Sequence, residues 1–313
     1  MNPTEVCVVF MGSPAFAEPS LRALASAGYR IAGVVTQPDR PAGRGGRARA
    51  SEVKTAALEL GLVVLQPERM RDERTQERLR ALAPDVVVVA AYGKILPQAV
   101  LDIPSKGSLN VHASLLPRWR GASPIDAAIL AGDEETGVTI MELVMKMDAG
   151  PIVAQARTPI LPDDTTGSLE PRLARMGAQL LVESLPGWLG GSLQPIPQDE
   201  SRVTVCSLIR KENGHLRAAM SAIEAERAVR AYNPWPGACV LYRGERLGVW
   251  RASVRSGSLS PGAVVVIDRK PAVAFRDGLL VLDEVQRPGS KRLRGEDFLN
   301  GERGALESTV GLA

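Results

Sequence analysis

The stretch Asp85-Val86-Val87-Val88-Val89-Ala90-Ala91 is the clearest buried strand in the sequence. A short, continuous apolar run is typical of a strand that is covered on both faces in a parallel sheet. The run Val6-Cys7-Val8-Val9-Phe10-Met11, which ends at Gly12, has the same character. These two runs predict buried strands of an α/β domain.

Helix and strand patterns alternate around these two runs. Helices are predicted at 15–27, 51–60, 72–82, 123–130 and 166–189, with Ser51 as an N-cap. Further strands are predicted at 31–35, 62–65, 109–113 and 138–144. This β-α alternation predicts an α/β domain in residues 1–189 with a Rossmann-like, doubly wound, mostly parallel sheet.

The pattern changes after residue 189. Residues 190–206 open with a Gly/Pro-rich run and are predicted to form a linker. In residues 207–313, short strands are predicted at 238–242, 247–254, 263–267, 272–275 and 279–285. Asp277-Gly278 is a strong hairpin turn between the last two. Several short strands with close turns predict a small, OB-like antiparallel β-barrel as the second domain.

Composition limits the class of protein. The chain has 313 residues, of which 45% are apolar and 23% charged, as in ordinary soluble proteins. Its three cysteines are far apart and form no Cys-x-x-Cys pair, which argues against a disulfide framework or a thiolate metal site. No signal-peptide pattern and no apolar run of membrane-spanning length is evident. We therefore expect a cytoplasmic monomer with no metal and no membrane segment.

Charge is unevenly distributed along the chain. Residues 1–206 hold 21 Lys/Arg and 23 Asp/Glu, a net charge of −2, whereas residues 207–313 hold 17 and 12, a net charge of +5. A basic region of this kind can attract a polyanion. By composition alone, these basic residues could equally form an ordinary solvated surface that binds no polyanion.

Candidate chemistry centres on Ser108-Leu109-Asn110-Val111-His112-Ala113-Ser114. Alternate side chains of a strand share a face, so Asn110 and His112 should project together while the apolar residues between them face the other way. Open α/β sheets place their ligands at the carboxyl ends of their strands. An amide and an imidazole are therefore expected side by side at a ligand-binding edge.

A carboxylate follows later in the chain. Asp148 lies in Met147-Asp148-Ala149-Gly150-Pro151, after an apolar strand and 36 positions beyond His112. Amide, imidazole and carboxylate suit acyl transfer to an amine: the amide donates to the developing oxyanion, and the imidazole and carboxylate handle the proton. The alternative is that His112 has only a structural role. Because His112 and His215 are the only two histidines in the chain, the functional role is favoured.

These residues resemble a known family. Asn110-Val111-His112-Ala113-Ser114-Leu115-Leu116-Pro117, together with Asp148, is similar to the signature of folate-dependent formyltransferases. The resemblance implies that Asn110, His112 and Asp148 are catalytic. It also implies that 10-formyltetrahydrofolate is the donor, and that it binds near Ser114, Leu115, Leu116 and Pro117.

Three further segments resemble the branch of this family that acts on methionyl-tRNA. They are Gly12-Ser13-Pro14-Ala15-Phe16-Ala17, the loop Thr36 to Gly45, and Asn233-Pro234-Trp235-Pro236. The resemblance implies that Arg40, Arg44, Arg47 and Arg49, in and just after that loop, bind the tRNA and that the second domain supports it.

The expected activity is therefore transfer of a formyl group to the methionine of initiator methionyl-tRNA. The alternative is a formyltransferase that acts on a small amine, such as an amino-sugar nucleotide. A third possibility, a non-catalytic RNA-binding protein on the same fold, should have lost part of the trio, and all three residues are present.

Overall fold

The computed structural model describes residues 2–41, 48–302 and 309–312. It divides into two compact units. The first comprises Met1–Pro124, Glu135–Pro159 and Glu170–Cys206, and the second comprises Ile125–Glu134, Ile160–Leu169 and Ser207–Ala313. The limits predicted from sequence, with a first domain up to 189, a linker at 190–206 and a second domain from 207, stay predictions.

The first part of the chain alternates strands and helices. In order, the elements up to residue 206 are β1 (Cys7–Gly12), α1 (Glu18–Ser26), β2 (Arg30–Val35), β3 (Arg40–Pro41), β4 (Ala48–Arg49), α2 (Glu52–Glu59), β5 (Val64–Leu65), α3 (Glu73–Ala81), β6 (Val86–Ala90), α4 (Gln98–Leu101), β7 (Ser108–His112), β8 (Arg120–Gly121), α5 (Pro124–Ala131), β9 (Glu135–Glu142), β10 (Ile152–Pro159), α6 (Thr166–Leu189) and β11 (Val205–Cys206). Short 3₁₀ helices lie at Pro3–Glu5 and Glu200–Arg202. Ser51 caps α2 as predicted, because its hydroxyl accepts from the Lys54 N–H at 3.2 Å.

Seven strands form the main sheet, in the order β10-β9-β7-β6-β1-β2-β5. The strands β5, β2, β1, β6 and β7 run parallel, whereas β9 is antiparallel to both β7 and β10. From β1 the chain builds outward through β2 to β5 and then returns to the other side of β1 at β6. The predicted doubly wound, mostly parallel sheet is therefore confirmed, and its strand order reverses between β1 and β6.

The two apolar runs that predicted the sheet lie at its centre. Every residue of β1 and of β6 is buried. The edge strand β10 was not predicted, because its residues are mostly polar or only partly buried and form no continuous apolar run. The strand predicted at 138–144 is the antiparallel β9, which begins three residues earlier.

The described residues after 206 form an antiparallel sheet with α-helices. Its elements are α7 (Ala222–Ala231), β12 (Ala238–Tyr242), β13 (Glu245–Arg255), β14 (Val264–Ile267), β15 (Lys270–Ala274), β16 (Leu279–Gln286), β17 (Leu293–Arg294) and α8 (Gly295–Gly301), after a 3₁₀ helix at Lys211–Gly214. The strand order is β12-β13-β16-β15-β14, with β17 paired to β16. The predicted turn at Asp277-Gly278 joins β15 to β16. Sequence reasoning missed α7, although Ser221 and Glu224 form a capping box at its start.

Both edges of this second sheet meet the C-terminal segment. Leu241 of β12 exchanges two backbone hydrogen bonds with Gly311, of 2.9 and 2.7 Å. Ala263, next to β14, forms a bridge with Thr309. The predicted antiparallel domain is therefore confirmed as an OB-like sheet whose two edges both pair with the C-terminal segment, whereas the predicted closed barrel is not found among the described residues. Within the described ranges, no helix has the length and apolar character needed to cross a membrane.

Candidate active site

The strand β7 brings Asn110 and His112 to one face of the sheet. It pairs with β6 in parallel register, Asn110 opposite Val89, near the carboxyl ends of both strands. Leu109 and Val111, between the two polar residues, are fully buried on the other face. The Asn110 side chain is partly exposed, and in the described part of the chain no residue forms a hydrogen bond with its amide. Its N–H groups are therefore free to bind a ligand.

The imidazole of His112 is held in one orientation. The residue is 6% exposed, and its Nε2 lies 2.9 Å from the carbonyl oxygen of Trp119. Because a carbonyl only accepts, Nε2 carries the proton in this contact, and Nδ1 is the ring atom left to accept one. The Trp119 backbone is itself fixed, since its N–H donates to the hydroxyl of Thr204 at 2.9 Å.

Asp148 lies beside the free nitrogen of that ring. Its Oδ1 is 3.9 Å from His112 Nδ1, and both side chains are largely buried. The other carboxylate oxygen, Oδ2, accepts from the Gly121 N–H at 2.9 Å. The backbone of Asp148 is in the left-handed region, with φ of +48°. The structure thus brings the three residues predicted as catalytic to one edge of the sheet, and their catalytic role stays a prediction.

Gly121 is required for this arrangement. Its φ is +121°, and an added Cβ would overlap the carbonyl oxygen of Cys206 in the neighbouring strand β11. The strand β8, which contains Gly121, pairs in parallel with β11. Only glycine allows this close approach while its N–H points at the Asp148 carboxylate.

The predicted folate-binding residues form the turn that follows β7. The Ser114 hydroxyl donates to the Arg118 carbonyl at 2.6 Å, and the Leu116 N–H donates to the Thr139 hydroxyl at 3.1 Å. Both Ser114 and Leu116 are buried, whereas Leu115 and Pro117 are partly exposed. Leu115 and Pro117 are therefore the members of this set that a ligand can reach. Folate contact by the four residues stays a prediction.

The predicted tRNA-binding arginines lie at a different place in the same unit. Arg40 and Arg49 pair across the short hairpin of β3 and β4. They line a surface cavity of about 490 Å³, together with Ser13, Pro14, Gln37, Pro38, Ala50, Ser51, Glu52 and Ala91. Within the described residues, no hydrogen bond or ion pair joins Arg40 or Arg49 to the catalytic candidates. Arg44 and Arg47 lie outside the described residues.

Hydrogen bonds anchor the base of that hairpin. The Lys54 ammonium binds the Asp39 carboxylate at 2.6 Å, and the Gln66 amide donates to the other carboxylate oxygen at 2.8 Å. The Lys54 contact, with help from Gln66, holds the pKa of Asp39 below its usual range. Asp39 immediately precedes Arg40, so the network fixes one end of the hairpin.

Two features of the site had no clear signal in the sequence. The loop Arg118-Trp119-Arg120-Gly121 is unusual in composition, yet nothing in it predicts that the Trp119 carbonyl binds His112 or that the Gly121 N–H binds Asp148. Gln198 and Thr204 lie in the segment predicted as a linker, and both hydrogen-bond the loops around the site. In the part of the chain that the structure describes, no cluster of His, Cys, Asp and Glu suitable for a metal is found.

A polar trio of amide, imidazole and carboxylate at the carboxyl edge of a doubly wound sheet is suited to acyl transfer, and these features place the chain among group-transfer enzymes. Residues 5–185 match the family described as Formyl transferase, and residues 208–303 match Formyl transferase, C-terminal domain. The chain belongs to the formyl transferase family.

Related proteins from other organisms match nearly the whole chain. A protein of Roseiflexus castenholzii named methionyl-tRNA formyltransferase is 49% identical over 300 residues, covering 95% of this chain and 96% of its own. One of the same name from Chloroflexus aggregans is 48% identical over 308 residues, covering 97% and 99%. Among solved structures, an N-formyltransferase from Helicobacter canadensis, in complex with folinic acid and dTDP-3-aminofucose, superposes with a TM-score of 0.68 at 15% identity, covering 88% and 98%. At 15% identity, the similarity to the Helicobacter canadensis protein shows a shared fold alone.

Proposed function

We propose that the chain transfers a formyl group from 10-formyltetrahydrofolate to the α-amino group of methionine on initiator methionyl-tRNA. The observation that carries the chemistry is an Asn110 amide that has no hydrogen-bond partner among the described residues and lies on the same strand face as His112, whose Nδ1 is 3.9 Å from Asp148. The choice of acceptor is supported by relatives that bear the name methionyl-tRNA formyltransferase and match the chain over almost its full length.

In this reaction the attacking nitrogen forms a bond to the formyl carbon, and the carbonyl electron pair moves onto oxygen. The Asn110 N–H groups donate to that oxygen, whose negative charge is greatest in the tetrahedral intermediate. When the intermediate collapses, the carbonyl re-forms and the bond to the folate nitrogen breaks. No nucleophilic serine or cysteine is needed, because the amine attacks directly.

Proton balance requires that the attacking nitrogen lose a proton and the leaving nitrogen gain one. His112 Nδ1 accepts the first proton, since Nε2 is already bound to the Trp119 carbonyl. Asp148 stabilises the imidazolium formed in this way, and the Gly121 N–H keeps the carboxylate in place. The imidazolium then returns the proton to the departing folate nitrogen.

The tRNA is bound away from the reacting atoms in this proposal. Arg40, Arg44, Arg47 and Arg49 contact phosphates of the acceptor end, as a cluster of arginines between glycines can do. The net charge of +5 in residues 207–313 adds attraction for the rest of the tRNA. The protein acts as a monomer in the cytoplasm, where charged tRNA and reduced folates occur together.

The test is incubation with 10-formyltetrahydrofolate and charged initiator tRNA, with formylated product measured over time. Charged elongator methionyl-tRNA is the control for tRNA identity. Asn110→Ala is the control for the site, and it should reduce kcat about 10²- to 10³-fold, the usual effect of losing one oxyanion donor. Transfer to an amino-sugar nucleotide, with none to initiator methionyl-tRNA, would establish the alternative acceptor instead.

A further inference from the structure

Gln198 is a buried residue that connects two parts of the candidate active site. The residue is 9% exposed. The Nε2 group donates to the carbonyl oxygen of Asp148 at 2.8 Å and to that of Gly150 at 2.7 Å. Its Oε1 accepts from Nε of Arg120, which is 4% exposed, at 2.9 Å. One amide therefore spans the turn that carries Asp148 and the strand β8.

The chemistry of these partners requires an amide. Two carbonyl oxygens on one side only accept, and a guanidinium on the other side only donates. A carboxylate at position 198 could accept from Arg120 but would face both carbonyls without a proton to donate. An apolar side chain would leave all three partners unsatisfied in a buried place, where each such group is costly.

From this geometry we infer that Gln198 is a positioning residue, which sets where the Asp148 carboxylate lies relative to His112. The Asp148 backbone has a positive φ, a conformation that non-glycine residues rarely adopt without support. Gln198 binds the carbonyl of that same residue and of the residue two positions on, so it holds the turn in this conformation. The Gly121 N–H then needs only to orient the carboxylate.

Arg120 extends the same hydrogen-bond network to a second segment of the site. Its terminal nitrogen binds Glu200 at 3.0 Å, and Lys146 binds the second oxygen of Glu200 at 2.9 Å. The Arg120 contact and the Lys146 contact hold the pKa of the Glu200 carboxyl below its usual range. Because β8 follows Trp119 directly, one network constrains both the Asp148 turn and the strand next to the carbonyl that binds His112. The expected effect of Gln198 on turnover rests on the proposed function. The hydrogen bonds through which Gln198 holds the Asp148 turn do not depend on it.

The test uses Gln198→Met, which keeps the length of the side chain and removes its hydrogen bonds. Gln194→Met is the matched control, since Gln194 is exposed and, among the described residues, its amide donates to the Gly191 carbonyl in its own segment. A misplaced catalytic group can reduce turnover about 10²-fold. We therefore expect kcat of Gln198→Met to fall by about that factor while the KM values for tRNA and folate stay unchanged. Gln194→Met should behave as the parent.

A second readout does not depend on activity. The chain has two histidines, His112 and His215, so the NMR signals of the His112 ring are assigned by comparison with His112→Ala. Asp148→Asn gives the position of those signals when the neighbouring charge is absent. Gln198→Met should move them toward that position at the same pH, and Gln194→Met should leave them in place.

The outcomes are separable. If the parent protein transfers no formyl group, the proposed function fails, and the NMR comparison still tests the positioning role. If Asp148→Asn shifts the His112 signals while Gln198→Met leaves both the signals and kcat unchanged, the inference is wrong. If Gln198→Met does not fold, as judged by thermal unfolding, Gln198→Glu replaces it. That variant keeps an acceptor for Arg120 but cannot donate to the two carbonyls while ionised, and the same shift and the same loss of kcat are expected.

Discussion

Replacing Asp148 by Asn tests the electrostatic core of the proposed mechanism. The asparagine keeps the size of the side chain and an oxygen that can accept from the Gly121 N–H, so the geometry is preserved while the charge is removed. The charge matters because His112 becomes an imidazolium during proton transfer. The carboxylate lies 3.9 Å from Nδ1 of that ring, and both side chains are largely shielded from solvent.

The size of the effect follows from that distance. Two unit charges about 4 Å apart interact by about 4 kcal/mol at the effective dielectric constant of about 20 that suits partly buried sites. Loss of that stabilisation from the transition state corresponds to a reduction in rate of about 10³-fold. The reduction should appear in kcat, because in the proposed mechanism the imidazolium that Asp148 stabilises forms only after both substrates have bound.

The assay is a single-turnover measurement of formyl transfer with both substrates saturating. Asp163→Asn is the matched control, since it removes the same charge from an exposed side chain. If Asp148→Asn reduced the rate by less than about tenfold, which corresponds to about 1.4 kcal/mol, the stabilised imidazolium would be refuted. His112 would then act only as a hydrogen-bond donor.

Three further predictions concern the scaffold and the arginine hairpin. Gly121→Ala should lower the free energy of unfolding by more than about 1–3 kcal/mol, the cost of an unfavourable backbone conformation, because its Cβ also meets a backbone carbonyl. Gly191→Ala is the control: its φ is positive but the space around it is open, so denaturant titrations of this variant show the conformational cost alone. Arg49→Ala should weaken binding of charged tRNA but not of folate and should reduce the slope of log K against log salt by about 1, whereas an unchanged slope would remove Arg49 from the tRNA site. The Lys54 contact lowers the pKa of Asp39, so its stabilising effect is present above the pKa of the unfolded chain and is lost as pH falls through the lowered value. Asp39→Asn should therefore lower the thermal midpoint at neutral pH and leave it unchanged in strong acid, and an equal decrease at both would contradict this origin.

Much of the fold could be predicted from local patterns. The apolar runs of β1 and β6 predicted the two central strands, and α6 has the limits that the sequence indicated. The edge strand β10 was missed because a strand with one neighbour and a solvated face needs no continuous apolar run. The helix α7 was missed although its capping box was present, because the prediction for residues 207–313 rested on strand and turn patterns alone.

Only part of the candidate site could be predicted from local sequence patterns. Strand alternation by itself placed Asn110 and His112 on one face, because side chains in a strand alternate with a period of two. The position of Asp148 beside them rested on the family resemblance. The contacts of Trp119, Gly121 and Gln198 with the site came from the structure.

The sequence alone therefore determined the central strands, the shared face of Asn110 and His112 and the family resemblance, since these depend on the period and composition of short segments. The tertiary structure alone decided that Asp148 Oδ1 lies 3.9 Å from His112 Nδ1 and that Gln198, from a segment predicted to be a linker, holds the Asp148 turn. The physical reason is that such contacts depend on which strands pair and in which register, and hydrogen bonds between residues distant in the chain leave no periodic pattern in either segment.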